Sequence, residues 1–280
     1  MTDLEQIAQS WQPASIEERG DIGERTAVGV AAFFGTSAPA FGEPLPVMWH
    51  EAFLREHLRL ADLGDDGHPA RSGLLPPIPR RKRLFGGGSL TVLRPLAVGE
   101  TAVRTAAVVQ HKVRQGSAGK LLIVTESHTW TVAGEPRLSE QRDLVYLKNS
   151  GAAAPAAERV SGEPEGEVVR RVAPDEKMLF TYSALTGNAH RIHYDATYAR
   201  EVEHHAGLLV HGPLVVTFGT EILRARMGAL AGLDYRLLAP TFVGDEITYT
   251  VSELADGELT IRAWSGGRQC LTVTGRSAAK

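Results

Sequence analysis

The chain has 280 residues, of which 43% are hydrophobic and 22% charged, and its formal net charge at pH 7 is −3. This composition is typical of a globular protein with material for one or two cores, and it excludes a globally basic nucleic-acid-binding protein. The single cysteine, Cys270, excludes an intramolecular disulfide framework. Neither a membrane-spanning stretch nor a signal-peptide pattern is present, so we expect a cytoplasmic protein that binds neither membrane nor nucleic acid.

The first predicted element is a helix over residues 50–63. Its apolar positions fall on one stripe at helical spacing: Phe53, Leu54, His57, Leu58 and Ala61. A basic run follows at residues 80–83. We interpret it either as a solvated loop or as a site for an anion, such as the phosphates of coenzyme A.

A repeated pattern then links the two halves of the chain. Residues 93–100 (LRPLAVGE) resemble residues 238–245 (LAPTFVGD), with Leu, Pro, Val and Gly recurring at an offset of 145. Alternating strand-like segments follow each copy, at 101–109 and 121–132 in the first half and at 246–254, 259–264 and 269–277 in the second. The matched order indicates an internal duplication.

A segment rich in Ala, Gly, Pro and Ser, residues 149–166, divides the chain. We therefore predict a first domain over 1–148, a linker over 149–166 and a second domain over 167–280. In each, a long central helix wrapped by a curled antiparallel sheet gives an α+β fold, the tandem or double hotdog. Such a pair completes its sheet without a second chain, and a homodimer is left open.

The second half contains most of the chemistry-bearing residues. Helical spacing through Met178, Tyr182 and Leu185 stops at Gly187, and a long helix is predicted over 213–230, beginning at Pro213. Between them lie five of the ten histidines: His190, His193, His204, His205 and His211. Their spacing matches no defined zinc motif, so we predict no metal.

His193 is the predicted proton-transfer group, because the ordinary pKa of histidine lies near neutrality. Asn188 can orient a water or a carbonyl without carrying charge. The backbone N–H of Gly212, at the start of the long helix, can stabilise an oxygen that gains negative charge. A purely structural role for His193 is the alternative.

Two motifs resemble a known family. The run GNAHRIHYD (187–195) followed by GLLVHGPL (207–214) resembles the MaoC-like hotdog hydratases, which carry an Asp, four residues, a His and a later His-Gly. Asn188 stands in the place of the Asp, His193 in that of the His, and Gly212 in that of the oxyanion glycine. Residues 67–99 resemble double-hotdog mesaconyl-CoA, 3-methylfumaryl-CoA and itaconyl-CoA hydratases and mitochondrial 3-hydroxyacyl-thioester dehydratases.

The resemblance implies a hydro-lyase that hydrates an enoyl thioester reversibly without a cofactor. Its acyl group would be short and branched or dicarboxylic, on coenzyme A or on an acyl carrier protein. From its position in the loop, His190 is either a second titrating group or a hydrogen-bonded scaffold histidine. The first half would supply the walls of the site. The expected substrate contacts are Arg80, Arg81, Arg83, Arg191 and His211. A hotdog thioesterase and a non-catalytic acyl-thioester-binding protein are the alternatives.

Overall fold

The computed structural model describes residues 4–54, 59–70, 72–78, 81–116, 119–148, 164–253 and 257–278. The first half contains α1 (Leu4–Ser10), β1 (Ile16–Asp21), α2 (Glu24–Phe34), β2 (Arg81–Val92), β3 (Thr101–Gly116), β4 (Gly119–Val132) and β5 (Glu135–Lys148). The second half contains β6 (Glu167–Val172), α3 (Glu176–Thr186), α4 (Gly212–Met227), β7 (Leu230–Leu237), β8 (Ile247–Glu253), β9 (Glu258–Ser265) and β10 (Arg268–Ser277). None of the helices in these ranges is long and apolar enough to cross a membrane.

All ten strands form one antiparallel sheet in the order β1-β3-β4-β5-β2-β7-β10-β9-β8-β6. Read inward from either edge, the order is the same, with β1 matching β6, β3 matching β8, and β2 matching β7. The two copies join where β2 pairs with β7, with Gly88 opposite Tyr235. This symmetry is that of a tandem hotdog, and the sheet is completed within one chain as the duplication predicts.

The predicted strands and second-half helices are confirmed. Asp175 caps the start of α3, since its carboxylate accepts the N–H of Met178 at 2.8 Å. Gly187, with a φ of +60°, caps the end of the helix. α4 packs closely against β9 and β10. A Cβ added at Gly219 of this helix would come within 2.8 Å of a methyl group of Val273. The linker prediction stays untested, since residues 149–163 lie outside the described part of the chain.

The helix predicted over residues 50–63 is wrong in the part that the structure describes. Two short 3-10 turns, Trp49–Ala52 and Leu60–Asp62, stand there instead. The apolar stripe is broken because Leu54 adopts a φ of +49°, and Leu60 is 86% exposed. The described residues of the first half therefore lack a counterpart of α4, and its longest helix is α2, which corresponds in chain position to α3.

The inner face of the first half carries buried charged side chains where the second half has an apolar surface. They are Arg104, Glu126, His128, Glu140 and Arg142. Arg142 pairs with Glu140 at 2.5 Å and with Glu51, and the Tyr235 hydroxyl donates to Glu140 at 3.0 Å. Burial opposes ionisation of Glu140, but the Arg142 charge and a hydrogen bond with His50 hold its pKa well below the usual range.

Candidate active site

The loop after α3 places the predicted catalytic residues in one cluster. The Asn188 side-chain oxygen accepts the backbone N–H of His190 at 3.0 Å, which fixes the entry of the loop. A 3-10 turn over Arg191–His193 then turns the His193 side chain back toward the start of α4. The amide nitrogen of Asn188 can donate to a ligand, and its oxygen keeps a second lone pair for another donor.

His193 is held in a defined tautomer. Its Nδ1 lies 2.7 Å from the carbonyl oxygen of Leu209, which can only accept a hydrogen bond, so Nδ1 carries the proton in the neutral ring. Nε2 then holds the free lone pair, as a base requires. The side chain is 6% exposed. Burial, with a smaller effect of the Arg83 charge, lowers the pKa of His193 to about 4, against an opposing effect of the Leu209 hydrogen bond.

The imidazole of His193 lies at the amino end of α4. It stacks on His211, the residue before the helix, with ring centroids 3.6 Å apart and planes 18° apart. His211 is buried, its Nε2 lies 2.9 Å from the Ser183 hydroxyl, and burial lowers its pKa to about 2. His211 thus packs against one face of the His193 ring, and its predicted contact with substrate stays a prediction.

Gly212 is the first residue of α4, so its N–H has no acceptor within the helix. The backbone passes close to both halves of the molecule. A Cβ on Gly212 would lie 2.7 Å from Leu237 and 3.4 Å from Phe85. The absence of a side chain therefore allows strands β2 and β7 to approach the start of the helix.

His190 is the second histidine of the cluster. It is 5% exposed, and its ring makes an edge contact with His193, with centroids 5.6 Å apart. On its other side the ring of His68 lies 3.9 Å away. Burial lowers the pKa of His190 well below its usual value, and charge on His68, His193 and Arg83 acts in the same direction, whereas Asp66 raises it.

The basic run of the first half reaches this cluster through β2. Arg83 lies on β2, and its positive charge lowers the pKa of both His193 and His190. Lys82 is buried, and its ammonium group donates to the carbonyl oxygen of Glu203 at 2.6 Å, so a solvated loop is excluded for this residue. Arg80 and the side chain of Arg81 lie outside the described residues.

Arg191 is engaged by the protein itself. Its guanidinium pairs with Asp195 at 2.7 Å, donates to the carbonyl oxygen of Asp65 at 3.1 Å and covers the ring of Tyr198 at 4.2 Å. These contacts hold the loop together and connect it to the first half. The predicted contact of Arg191 with substrate stays a prediction.

Comparison with known proteins decides the family. The family model described as hydroxyacyl-thioester dehydratase type 2 matches residues 48–243. The chain is 35% identical over 237 residues to the mesaconyl-C(4)-CoA hydratase of Chloroflexus aurantiacus, covering 83% of this chain and 84% of that one. The chain belongs to the hydroxyacyl-thioester dehydratase type 2 family.

Solved structures agree on the fold of this dehydratase family member. HtdX of Mycobacterium tuberculosis superimposes with a TM-score of 0.66 at 16% identity, covering 95% of this chain and all of that one. A second Mycobacterium tuberculosis protein, described as a double hotdog, gives a TM-score of 0.58 at 14% identity over 96% of both chains. The predicted family and the tandem hotdog are therefore confirmed.

Sequence reasoning missed two residues that lie beside the histidine cluster, Asp66 and His68. Both lie in a turn of the first half that contacts residues 189–191, and the short segment GDDGHP carries no periodicity that predicts this contact. Together with His190 they bring potential metal-binding atoms within 4.8 Å of one another, as do His50, Glu51 and Glu140. Hydrogen bonds and ion pairs within each group account for these positions, and we assign no metal to either.

Two cavities in the described residues lie away from the histidines of the dehydratase site. A groove of about 440 Å³ is formed by β2, β5, β7 and β10, and includes Gly87, Ser89 and Arg236. A smaller cavity lies between α2, α3 and the 3-10 turn at Trp49–Ala52. Neither cavity is lined by Asn188, His193 or Gly212.

Proposed function

We propose that this chain catalyses the reversible hydration of a 2-enoyl thioester to a 3-hydroxyacyl thioester, with His193 as the base. One observation carries the proposal. The His193 ring has its protonated nitrogen on the Leu209 carbonyl and stacks on the residue that precedes the free N–H groups of α4. A basic lone pair and a positive helix end thus meet at one place, which is what addition to a conjugated thioester requires.

In the proposed reaction, the thioester oxygen accepts the N–H of Gly212. Asn188 holds a water through its amide nitrogen, and Nε2 of His193 removes a proton as the water oxygen bonds to the β-carbon. The electrons of the double bond move to the thioester oxygen, where the helix end stabilises the enolate. The proton that His193 took from the water is then delivered to the α-carbon, which completes the reaction and restores the base. The thioester itself acidifies the α-position, so we propose that neither a metal nor a redox cofactor takes part.

The lowered pKa of His193 fits a role for the substrate in tuning the base. With a pKa of about 4, the imidazole is neutral at pH 7 and its lone pair is available. Part of the lowering comes from the charge of Arg83. A substrate anion that pairs with Arg83 would neutralise this charge and raise the pKa of His193, bringing it closer to the value at which a base is most effective.

We therefore propose a short dicarboxylic or branched enoyl group on coenzyme A as the substrate. Arg83 can pair with the second carboxylate, and a buried carboxylate without such a cation is costly. The similarity to a mesaconyl-C(4)-CoA hydratase over most of the chain supports the same substrate class. We further propose that an acyl carrier protein can replace coenzyme A, which a comparison of the two carriers with the same acyl group tests. Association into a homodimer is another proposal, which a measurement of molecular mass in solution tests.

The experiment measures loss of absorbance of the conjugated thioester with mesaconyl-CoA and crotonyl-CoA. We expect hydration by the unmodified protein and a loss of about 10²–10⁴-fold in kcat for His193→Gln, as is typical for removal of a general base. His111→Gln is the matched control, because His111 lies on β3 with its Nε2 on the carbonyl oxygen of Ala8, in a different part of the molecule.

Three results would contradict the proposal. Equal activity of the two histidine variants would remove His193 from the mechanism. Release of free thiol in place of the 3-hydroxyacyl thioester would indicate a thioesterase. Binding of crotonyl-CoA or mesaconyl-CoA without turnover would indicate a non-catalytic binding protein.

A further inference from the structure

A turn of the first half, residues 62–70, lies directly on the loop that carries the catalytic histidines. The backbone N–H of Arg191 donates to the carbonyl oxygen of Asp66 at 2.9 Å. Gly67 has a φ of +85°, and a Cβ at this position would collide with the carbonyl group of Ala189. The two backbones are therefore in contact, and their relative position is fixed closely.

This turn extends the histidine cluster by a carboxylate and an imidazole. One oxygen of Asp66 accepts the backbone N–H of His68 at 2.9 Å, and the other lies 3.4 Å from Nδ1 of the same residue. The His68 ring contacts that of His190 at 3.9 Å, and His190 contacts His193 at 5.6 Å. A continuous row of polar groups thus runs from Asp66 in the first half to His193 in the second.

The row places a negative charge next to His190, whereas Asp195 of the catalytic loop is paired with Arg191. Asn188 cannot ionise, and its oxygen is used by the backbone of His190. His190 faces His68 and Asp66 from the turn, His193 and His211 from its own half, and Arg83 from β2. Asp66 is the anion in this set, and it favours the protonated form of His190 against burial and its cationic neighbours.

We propose that Asp66 and His68 are positioning residues that hold His190 beside His193 and stabilise it as the acid that protonates the α-carbon. This inference rests on the proposed hydration. His193 takes a proton from water as oxygen bonds to the β-carbon, and the double-bond electrons move to the thioester oxygen. The proton on His193 then passes to the neutral His190, through the adjoining rings or a water. The enolate returns its electrons and takes this proton from His190, which leaves both imidazoles neutral again.

The test compares Asp66→Asn with Asp65→Asn, which makes the same change at the exposed neighbouring side chain. We expect Asp66→Asn to lower kcat at pH 8 at least about tenfold, because each unit of pKa lost by His190 reduces its protonated fraction about tenfold. KM should change little. Asp66→Glu, which keeps the charge, should restore kcat, whereas a purely structural role of Asp66 predicts no better activity for the larger Glu side chain than for Asn.

The outcomes separate this inference from the function on which it rests. Equal kcat at pH 8 for Asp66→Asn and Asp65→Asn, with His193→Gln inactive, would overturn the role of Asp66 and leave the hydration intact. No hydration by the unmodified protein would overturn both. Loss of activity in the presence of a chelator, restored by added metal, would also overturn the positioning role, because Asp66, His68 and His190 would then act as metal ligands. If Asp66→Asn fails to fold, Asp66→Ser keeps an acceptor for the His68 N–H and tests the same charge.

Discussion

The inner face of the sheet is lined differently in the two halves. In the second half α4 covers a surface of fully buried apolar side chains, which include Tyr249, Ile261, Leu271 and Val273. In the first half the described residues provide no such helix, and the equivalent face carries the ion pairs of Glu140 and Arg142. The difference shows how a duplicated unit can keep its strand order while the lining of its inner face changes from apolar contacts to paired buried charges.

The two halves of the chain also contribute different groups to the candidate site. The second half provides His193, Asn188 and the free end of α4, so the proposed base and the proposed oxyanion contact come from this half. The first half provides Arg83 on β2, whose charge lowers the pKa of His193 and His190, and the turn with Asp66, which raises the pKa of His190. In this proposal the first half therefore contributes charge and position.

The largest effect is expected for Glu140→Ala, which breaks the buried ion network of the first half. Glu140 is fully buried, and its loss leaves Arg142 with half of its partners. We expect the free energy of unfolding to fall by about 3–5 kcal/mol, with a much smaller change in kcat of the folded protein. Denaturant unfolding measures this. Glu135→Ala, exposed on the same strand, should change stability by less than about 0.5 kcal/mol, and equal losses would refute the contrast.

A smaller effect is expected for Gly67→Ala, which displaces the turn from the catalytic loop. The added Cβ collides with the backbone of Ala189, so kcat/KM for hydration should fall about 10- to 100-fold through misplacement of His190. Gly42→Ala is the control, because Gly42 has a similar φ of +83° and no atom within 4 Å of the added group. Equal activity of the two variants would show that the first half does not position the site.

The smallest effect is expected for Arg83→Gln. If Arg83 pairs with a substrate carboxylate, KM for mesaconyl-CoA should rise about tenfold, equivalent to about 1.4 kcal/mol. KM for crotonyl-CoA, which has no second carboxylate, should stay near its original value. Arg94→Gln, exposed just after the same strand, serves as the control. An equal rise for both thioesters would assign Arg83 to the coenzyme A portion or to the fold.

The sequence predicts the second half better than the first, for a physical reason. Alternation along β8, β9 and β10, Pro213 at the start of α4 and Gly187 at the end of α3 are local signals, and the structure confirms them. In the first half, the apolar stripe of residues 50–63 is interrupted by the left-handed backbone of Leu54. The short helix α2 was not predicted, although Ala27, Val30 and Ala31 recur at helical spacing and are buried.

Some residues of the candidate site can likewise be predicted from the sequence, and others cannot. His193, Asn188 and Gly212 lie within 25 residues of one another, and a motif reveals them. Asp66 reaches His190 through a contact between segments more than 120 residues apart, which no local pattern indicates. The lowered pKa of His193 was also unpredicted, because it depends on burial and on Arg83 from the other half.

The most direct test of the site is a crystal structure of the His193→Gln protein with mesaconyl-CoA bound. The account predicts the thioester oxygen within hydrogen-bonding distance of the Gly212 N–H, the β-carbon facing residue 193, and the second carboxylate against Arg83. A thioester bound instead in the groove of Gly87, Ser89 and Arg236, with nothing in front of α4, would contradict it.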